Sequence, residues 1–215
     1  IRLESPRVFG LPFNVRLVTQ DLKDIGASCY GIGNDTRIDK SKLAANPDYY
    51  RYHLEQQKSG LDLEAELGRS VALFGGLRFN RGAPARKNEA RSDYLIIDDR
   101  TLVGLEAGWT NFLVAGVLLD TRDDQETPTK GILSEMSIQI GKEWLGTEYV
   151  YRRYTVIHTQ YVCFGGTRRR PRYVVLVRAL FENLKGEAPF YEMTQVGGSI
   201  RGFGVGGNTT MRGYD

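Results

Sequence analysis

Leu61, Leu63, Ala65 and Leu67 alternate with Asp62, Glu64 and Glu66, so this segment is apolar on one face and acidic on the other. A period of two is the period of a β-strand. Just upstream, Tyr50, Tyr52 and Leu54 alternate with Arg51, His53 and Glu55, and a Ser59-Gly60 kink joins the two runs. The pattern predicts a strand of about 20 residues, enough to cross a bilayer and project beyond it. A soluble sandwich shows the same alternation; the length favours a membrane barrel.

The same reading extends along the chain. Leu11, Phe13, Val15 and Leu17 alternate with Pro12, Asn14 and Arg16, which predicts a first strand, a polar turn at 21–24 and a second strand over 25–32. After the turn at 68–70, Val71, Leu73, Leu77 and Phe79 return opposite Arg78 and Asn80. Further strands end at 113–120, follow the alternation of Ile132, Met136, Ile138 and Ile140 with Glu135, Ser137 and Gln139, and run over 148–164, where the faces do not separate. A last one places Tyr173, Val175, Val177, Ala179 and Phe181 away from Arg178 and Glu182. The prediction is about eight antiparallel strands with no helical period. Shorter connections fall near 21–24, 68–70, 121–130 and 165–171. Long ones fall near 33–47, 82–100 and 184–215, with a short exception at 142–147. Short turns on one rim and long loops on the other is the asymmetry of an outer-membrane barrel, with the long loops outside the cell.

Composition leaves this picture standing. No run of 18 apolar residues exists, so a transmembrane helix is excluded while strands are not. The 12 tyrosines and 25 glycines suit interfacial girdles and barrel bends. A net charge of +3 with interspersed signs gives no ground for a nucleic-acid partner. Cys29 and Cys163 read as two isolated packing residues. The chain starts at Ile1 with no signal peptide, so either its start is processed away or it begins mid-protein.

Residues 189–215 break every period. They carry repeated glycines, Arg201-Gly202-Phe203 and Arg212-Gly213-Tyr214. Glycine serves where backbone turns through positive φ or approaches another surface closely, so this stretch reads as a loop tucked against something. A buried Arg212 would need an acidic or carbonyl partner. Gly206, Gly207, four residues, then Arg212, Gly213 and Tyr214 resemble the signature loop of the BamA/TamA superfamily of outer-membrane barrels, the bacterial surface antigen family. The Pro189-Phe190-Tyr191-Glu192 that leads into it is similar to the family's lead-in segment. Two more stretches resemble the family in the same order: YGIGNDT at 30–36, with Gly31, Gly33 and Asn34, and DTRDDQETPTKG at 120–131, with Asp120, Arg122, Asp123, Pro128 and Gly131.

The resemblance implies an antiparallel transmembrane β-barrel of about sixteen strands, of which this chain would be the middle. Residues 1–184 would be barrel strands and 185–215 a loop folded into the lumen and latched through Arg212, with strands missing at both ends. It implies an outer-membrane protein that inserts nascent barrels or passes polypeptide across the membrane, with no enzymatic activity, cofactor or metal. Its partners would be outer-membrane lipid, lipopolysaccharide included, nascent or exported polypeptides, and subunits of an envelope complex. The alternative is a passive porin-like or scaffold barrel. Polypeptide-binding repeats ahead of Ile1 would favour assembly or export.

Other chemistry is thinner. There is no Gly-x-Ser-x-Gly elbow. His53 and His158 are the only histidines, neither with a serine or acid at convincing register. The row Asp62, Glu64, Glu66 reads as a hydrated lumen wall ahead of a cation site. Asp120 and Asp123 around Arg122 read either as a contact for a periplasmic partner or as a self-paired turn. Arg168, Arg169, Arg170 and Arg172 read as a solvated basic turn ahead of a site for anionic lipid at the inner rim, and Trp109 and Trp144 read as girdle anchors.

Overall fold

The computed structural model describes residues 2–5, 13–33, 36–88, 90, 92–167 and 170–193. These form one eight-stranded sheet in sequential order: β1 (Arg2–Ser5), β2 (Phe13–Ser28), β3 (Arg51–Leu67), β4 (Val71–Arg86), β5 (Gly108–Asp120), β6 (Gly131–Gly141), β7 (Tyr151–Thr167) and β8 (Arg170–Gly186). Every neighbouring pair is antiparallel. The sheet curls into a half-barrel. Short helical turns lie in the loops at α1 (Lys40–Ala45), α2 (Leu95–Asp98) and α3 (Phe190–Met193).

Alternation assigns the two faces. One hydrogen-bonded row runs Leu63, Gly75, Ala115, Ile138, Tyr154 across β3 to β7 on the convex side. Leu61, Leu73, Leu113, Met136, Val177 and Phe181 share that side and are exposed. The neighbouring row, Asp62, Gly76, Val114, Gln139, Arg153, lines the concave side, and Asp62, Val114 and Gln139 are buried there. An exposed apolar exterior around a polar interior is the inverse of a soluble sandwich and the arrangement lipid requires. Among the described residues, no helix is long and apolar enough to cross a membrane. Crossing falls to the strands, because antiparallel pairing satisfies the backbone within the sheet.

Several boundaries differ from the sequence reading. The polar stretch 21–24 is no turn: β2 runs through it, with a register shift only between Asp24 and Ala27. Cross-strand pairing with β3 overrides local polarity there, because Asp21 and Lys23 sit opposite Gln57 and Glu55, on the convex face beyond the apolar run that begins at Leu61. The additional strand is β1, which pairs with β2 from Arg2 opposite Val18 to Ser5 opposite Val15. Ser59-Gly60 does not kink β3, whose register with β4 is continuous from Tyr52 to Leu67. β4 reaches Arg86, well into the expected loop, β8 ends at Gly186, two residues past the expected boundary at 184, and β7 and β8 extend into the expected turn at 165–171.

Candidate functional site

The concave face is held by charge. Arg78 of β4 donates from Nη1 to Asp62 Oδ1 at 2.6 Å and from Nη2 to Oδ2 at 3.0 Å, with both side chains buried. Asp62 lies opposite Gly76, so Arg78 reaches it diagonally from two residues along. A Cβ on Gly76 would lie 2.2 Å from the Leu61 carbonyl oxygen and 2.6 Å from Asp62 Oδ1. The glycine leaves room for the pair. Asp62 therefore works as an ion-pair partner within the wall.

The second cluster belongs to the segment after β8. Glu187 N–H donates to the Val150 carbonyl at 3.1 Å, and Phe190 N–H donates to Val103 at 2.9 Å. The chain then turns through α3 into the concavity, burying Phe190, Tyr191 and Glu192. Phe190 stacks edge-on against Tyr52, centroids 5.0 Å apart, and joins a cluster with Cys29, Leu54 and Leu102. The Tyr191 ring occupies the space a side chain at Gly82 would fill, since a Cβ there would meet it at 2.5 Å. Arg153 Nη2 donates to Glu192 Oε2 at 2.8 Å and to the Glu192 carbonyl at 3.0 Å. Gln56 Nε2 donates to Glu192 Oε1 at 3.5 Å. Arg153 also forms an ion pair with Glu182 of β8 at 3.5 Å, and half-buried Lys58 exerts its charge on the Glu192 carboxylate.

Over this cluster the outer loops close on one another. Asp98 accepts from Lys42 at 2.7 Å and from the Tyr49 hydroxyl at 2.8 Å, joining loop 29–50 to loop 87–107. Lys42, and then Tyr49, hold the Asp98 carboxyl below the ordinary range. Asn46 donates to the Asp93 carbonyl at 2.7 Å, and Leu95 N–H to Tyr49 at 2.9 Å.

On the opposite rim, the 120–131 turn is paired with itself. Asp120 accepts from Arg122 Nε at 2.9 Å and Nη2 at 2.7 Å. Asp123 accepts from the Thr129 hydroxyl at 2.6 Å and from the backbone of Thr129 and Lys130, and Asp124 accepts from Glu126 and Thr127. The Thr129 hydroxyl, then the two backbone donors, hold the Asp123 carboxyl far below its usual range. Gly131 has φ +109°, and a Cβ there would lie 2.4 Å from the Thr121 carbonyl. Gly31 and Gly33 both take φ +103° just after β2, and Pro128 lies within the paired turn. Asn34 and the motif residues Gly206, Gly207, Arg212, Gly213 and Tyr214 lie outside the described residues, as do Arg168 and Arg169.

His158 has a serine at register after all: Ser134 stands opposite it, with Oγ 2.7 Å from Nδ1. The pair lies on the convex side, on the same face as the Met136–Val156 pair, and the two polar groups satisfy each other there. Cys29 and Cys163 are both free thiols.

The cluster of Arg153, Glu192, Gln56 and Lys58 escaped the sequence reading. Arg153 sits in the strand whose faces did not separate, and Glu192 was visible only as part of the lead-in segment. The available signal was a charged residue, Arg153, in a strand whose successor carries an acidic one, Glu182.

No curated protein matches the chain. A family model for the Omp85 superfamily domain matches residues 14–214, so it spans every strand from β2 to β8 and the glycine-rich segment that follows. With an exterior built for lipid, a charged interior and a match over nearly the whole length, the chain belongs to the Omp85 superfamily, whose barrels act in outer-membrane protein assembly and translocation.

Proposed function

We propose that this chain is the strand-bearing part of a bacterial outer-membrane machine that inserts nascent barrel proteins or passes polypeptide across the membrane. Residues 185–215 form its lumen loop, which is latched through Arg212 of the motif Gly206, Gly207, Arg212, Gly213, Tyr214. The observation that supports this reading is the burial of Phe190, Tyr191 and Glu192 on the concave face, which brings the chain into the concavity just ahead of the motif. Lumen filling suits a machine whose work is done by strand edges: unsatisfied edge groups are costly in lipid, and an incoming strand satisfies them. The barrel wall is braced while an edge is offered. Such a mechanism needs strand pairing and no nucleotide or metal. Its partners are outer-membrane lipid, client polypeptides and the other subunits of an envelope complex.

Depletion of the full-length protein, complemented with the wild type or with Arg212→Ala, tests this. The expected result is a fall in folded outer-membrane proteins or in secreted polypeptide on depletion, restored by the wild type and poorly by the variant. Unchanged assembly and secretion on depletion would leave a passive barrel and overturn the proposal.

A further inference from the structure

We propose that Glu192 is a positioning residue that latches the root of the lumen loop to two distant strands, independently of Arg212. The inference rests on the reading of 185–215 as that loop.

β3 and β7 are not neighbours: β4, β5 and β6 lie between them. Glu192 spans the gap with its two carboxylate oxygens, Oε1 toward Gln56 of β3 at 3.5 Å and Oε2 toward Arg153 of β7 at 2.8 Å. Arg153 holds the same residue a second time, through its carbonyl at 3.0 Å. Glu192 thus forms a chord across the concave face. A buried carboxylate is tolerated only when its charge is met and its lone pairs are occupied. Here the signs alternate: Glu182, Arg153, Glu192, Lys58. Removing one negative charge from the middle leaves that alternation broken, whereas an apolar contact of the same shape would have no such dependence. The aromatic neighbours fix direction only. Phe190 packs on Tyr52 and Tyr191 over Gly82, both on the β3–β4 side, while toward β7 Ala188 and Met193 join only the apolar cluster that includes Tyr151.

The test places a cysteine at Met193 in the full-length chain, with Cys29 and Cys163 replaced by serine, and measures labelling by a membrane-impermeant maleimide. Folded barrel is confirmed by its heat-shifted gel mobility. The expected result is protection in the parent and in Arg212→Ala. In Glu192→Gln labelling should be about tenfold faster, the change produced by losing one charge-assisted hydrogen bond. Equal protection in Glu192→Gln would overturn the latch, and exposure in Arg212→Ala would overturn its independence. Should Glu192→Gln not give a folded band, Gln56→Leu decides, since it removes the β3 end of the chord: faster labelling of Met193→Cys supports the latch, and unchanged protection sinks it. Labelling reads the loop root whether or not client proteins assemble, so a failed latch and a failed assembly role are told apart.

Discussion

Replacing Arg78 by Met leaves the Asp62 carboxylate inside the wall without the guanidinium that meets both its oxygens, at 2.6 and 3.0 Å. The two side chains are only 4% and 8% exposed, so water cannot readily take the arginine's place. Breaking a buried, hydrogen-bonded ion pair from one side costs about 3–5 kcal/mol, because one charge stays buried and unmet. Replacing both partners by apolar groups of similar size is often close to neutral. The prediction is therefore a pronounced non-additivity. Arg78→Met and Asp62→Leu each lose about 3–5 kcal/mol, and the double variant recovers most of it. The assay is urea unfolding of the full-length barrel refolded into lipid vesicles, followed by the fluorescence of Trp109 and Trp144 and by heat-shifted gel mobility, with stabilities from linear extrapolation. If each single variant costs less than about 1 kcal/mol, the pair behaves as a surface bridge and the buried-wall reasoning is wrong. If the double variant equals the sum of the singles, the two residues are not coupled.

The rim glycines separate strain from collision. Gly131→Ala meets both a φ of +109° and the Thr121 carbonyl at 2.4 Å, whereas Gly33→Ala meets a φ of +103° with open space around it. Gly131→Ala should cost more than the about 1–2 kcal/mol that the left-handed conformation alone exacts from Gly33→Ala; equal losses in urea unfolding would refute the collision. Gly82→Ala drives a methyl into the Tyr191 ring and should speed labelling of a Met193→Cys probe without unfolding the barrel; continued protection would mean that the ring yields freely. The Asp123 carboxyl is held low by the Thr129 hydroxyl. Its contribution is then fully present above the ordinary carboxylate value of about 3.9 and is lost as the pH falls below it. Asp123→Asn should lower stability by the same amount from pH 8 to 5, with the gap to wild type closing in stronger acid; a gap that widens there would contradict the sign.

Alternation carried most of the fold, and the reason is visible in β3. Its faces are set by lipid on one side and a polar lumen on the other, so each residue's polarity reports its direction. The turn at 68–70 then fixes the hairpin register, and that register brings Arg78 within diagonal reach of Asp62. Where alternation failed, a local rule had met a non-local one. Asp21 and Lys23 read as a turn by composition, but the partner strand extends past the apolar band and takes them along. Tyr151 to Thr167 mixes signs on both faces, because Arg153 points inward to Glu192 while Ser134 pairs His158 on the outside. Neither partner is near in sequence. The loop root was hardest to read, since its position depends on long-range contacts with β3, β4 and β7.

The same contacts explain why the root lies where it does. An antiparallel wall lined throughout by side chains would hold an incoming segment at a distance, and backbone-to-ring approach needs a missing Cβ. Tyr191 finds this at Gly82 of β4, and Pro189 finds it at Gly104, where a Cβ would lie 2.6 Å from its own Cβ. Both glycines lie toward the long-loop rim, next to the sites where Val103 accepts from Phe190 and Tyr52 stacks on it. Shape therefore brings the segment in at one end, and charge fixes its depth, because Glu192 can be buried only where Arg153 meets it. A segment positioned by two such different forces loosens in a different way when each is removed. Replacing Gly82 should loosen Tyr191 and leave the salt link, and replacing Glu192 should do the reverse. The fold has accordingly placed a strut across a concavity whose sheet is also braced by its hydrogen-bonded neighbours and by wall pairs such as Asp62 and Arg78.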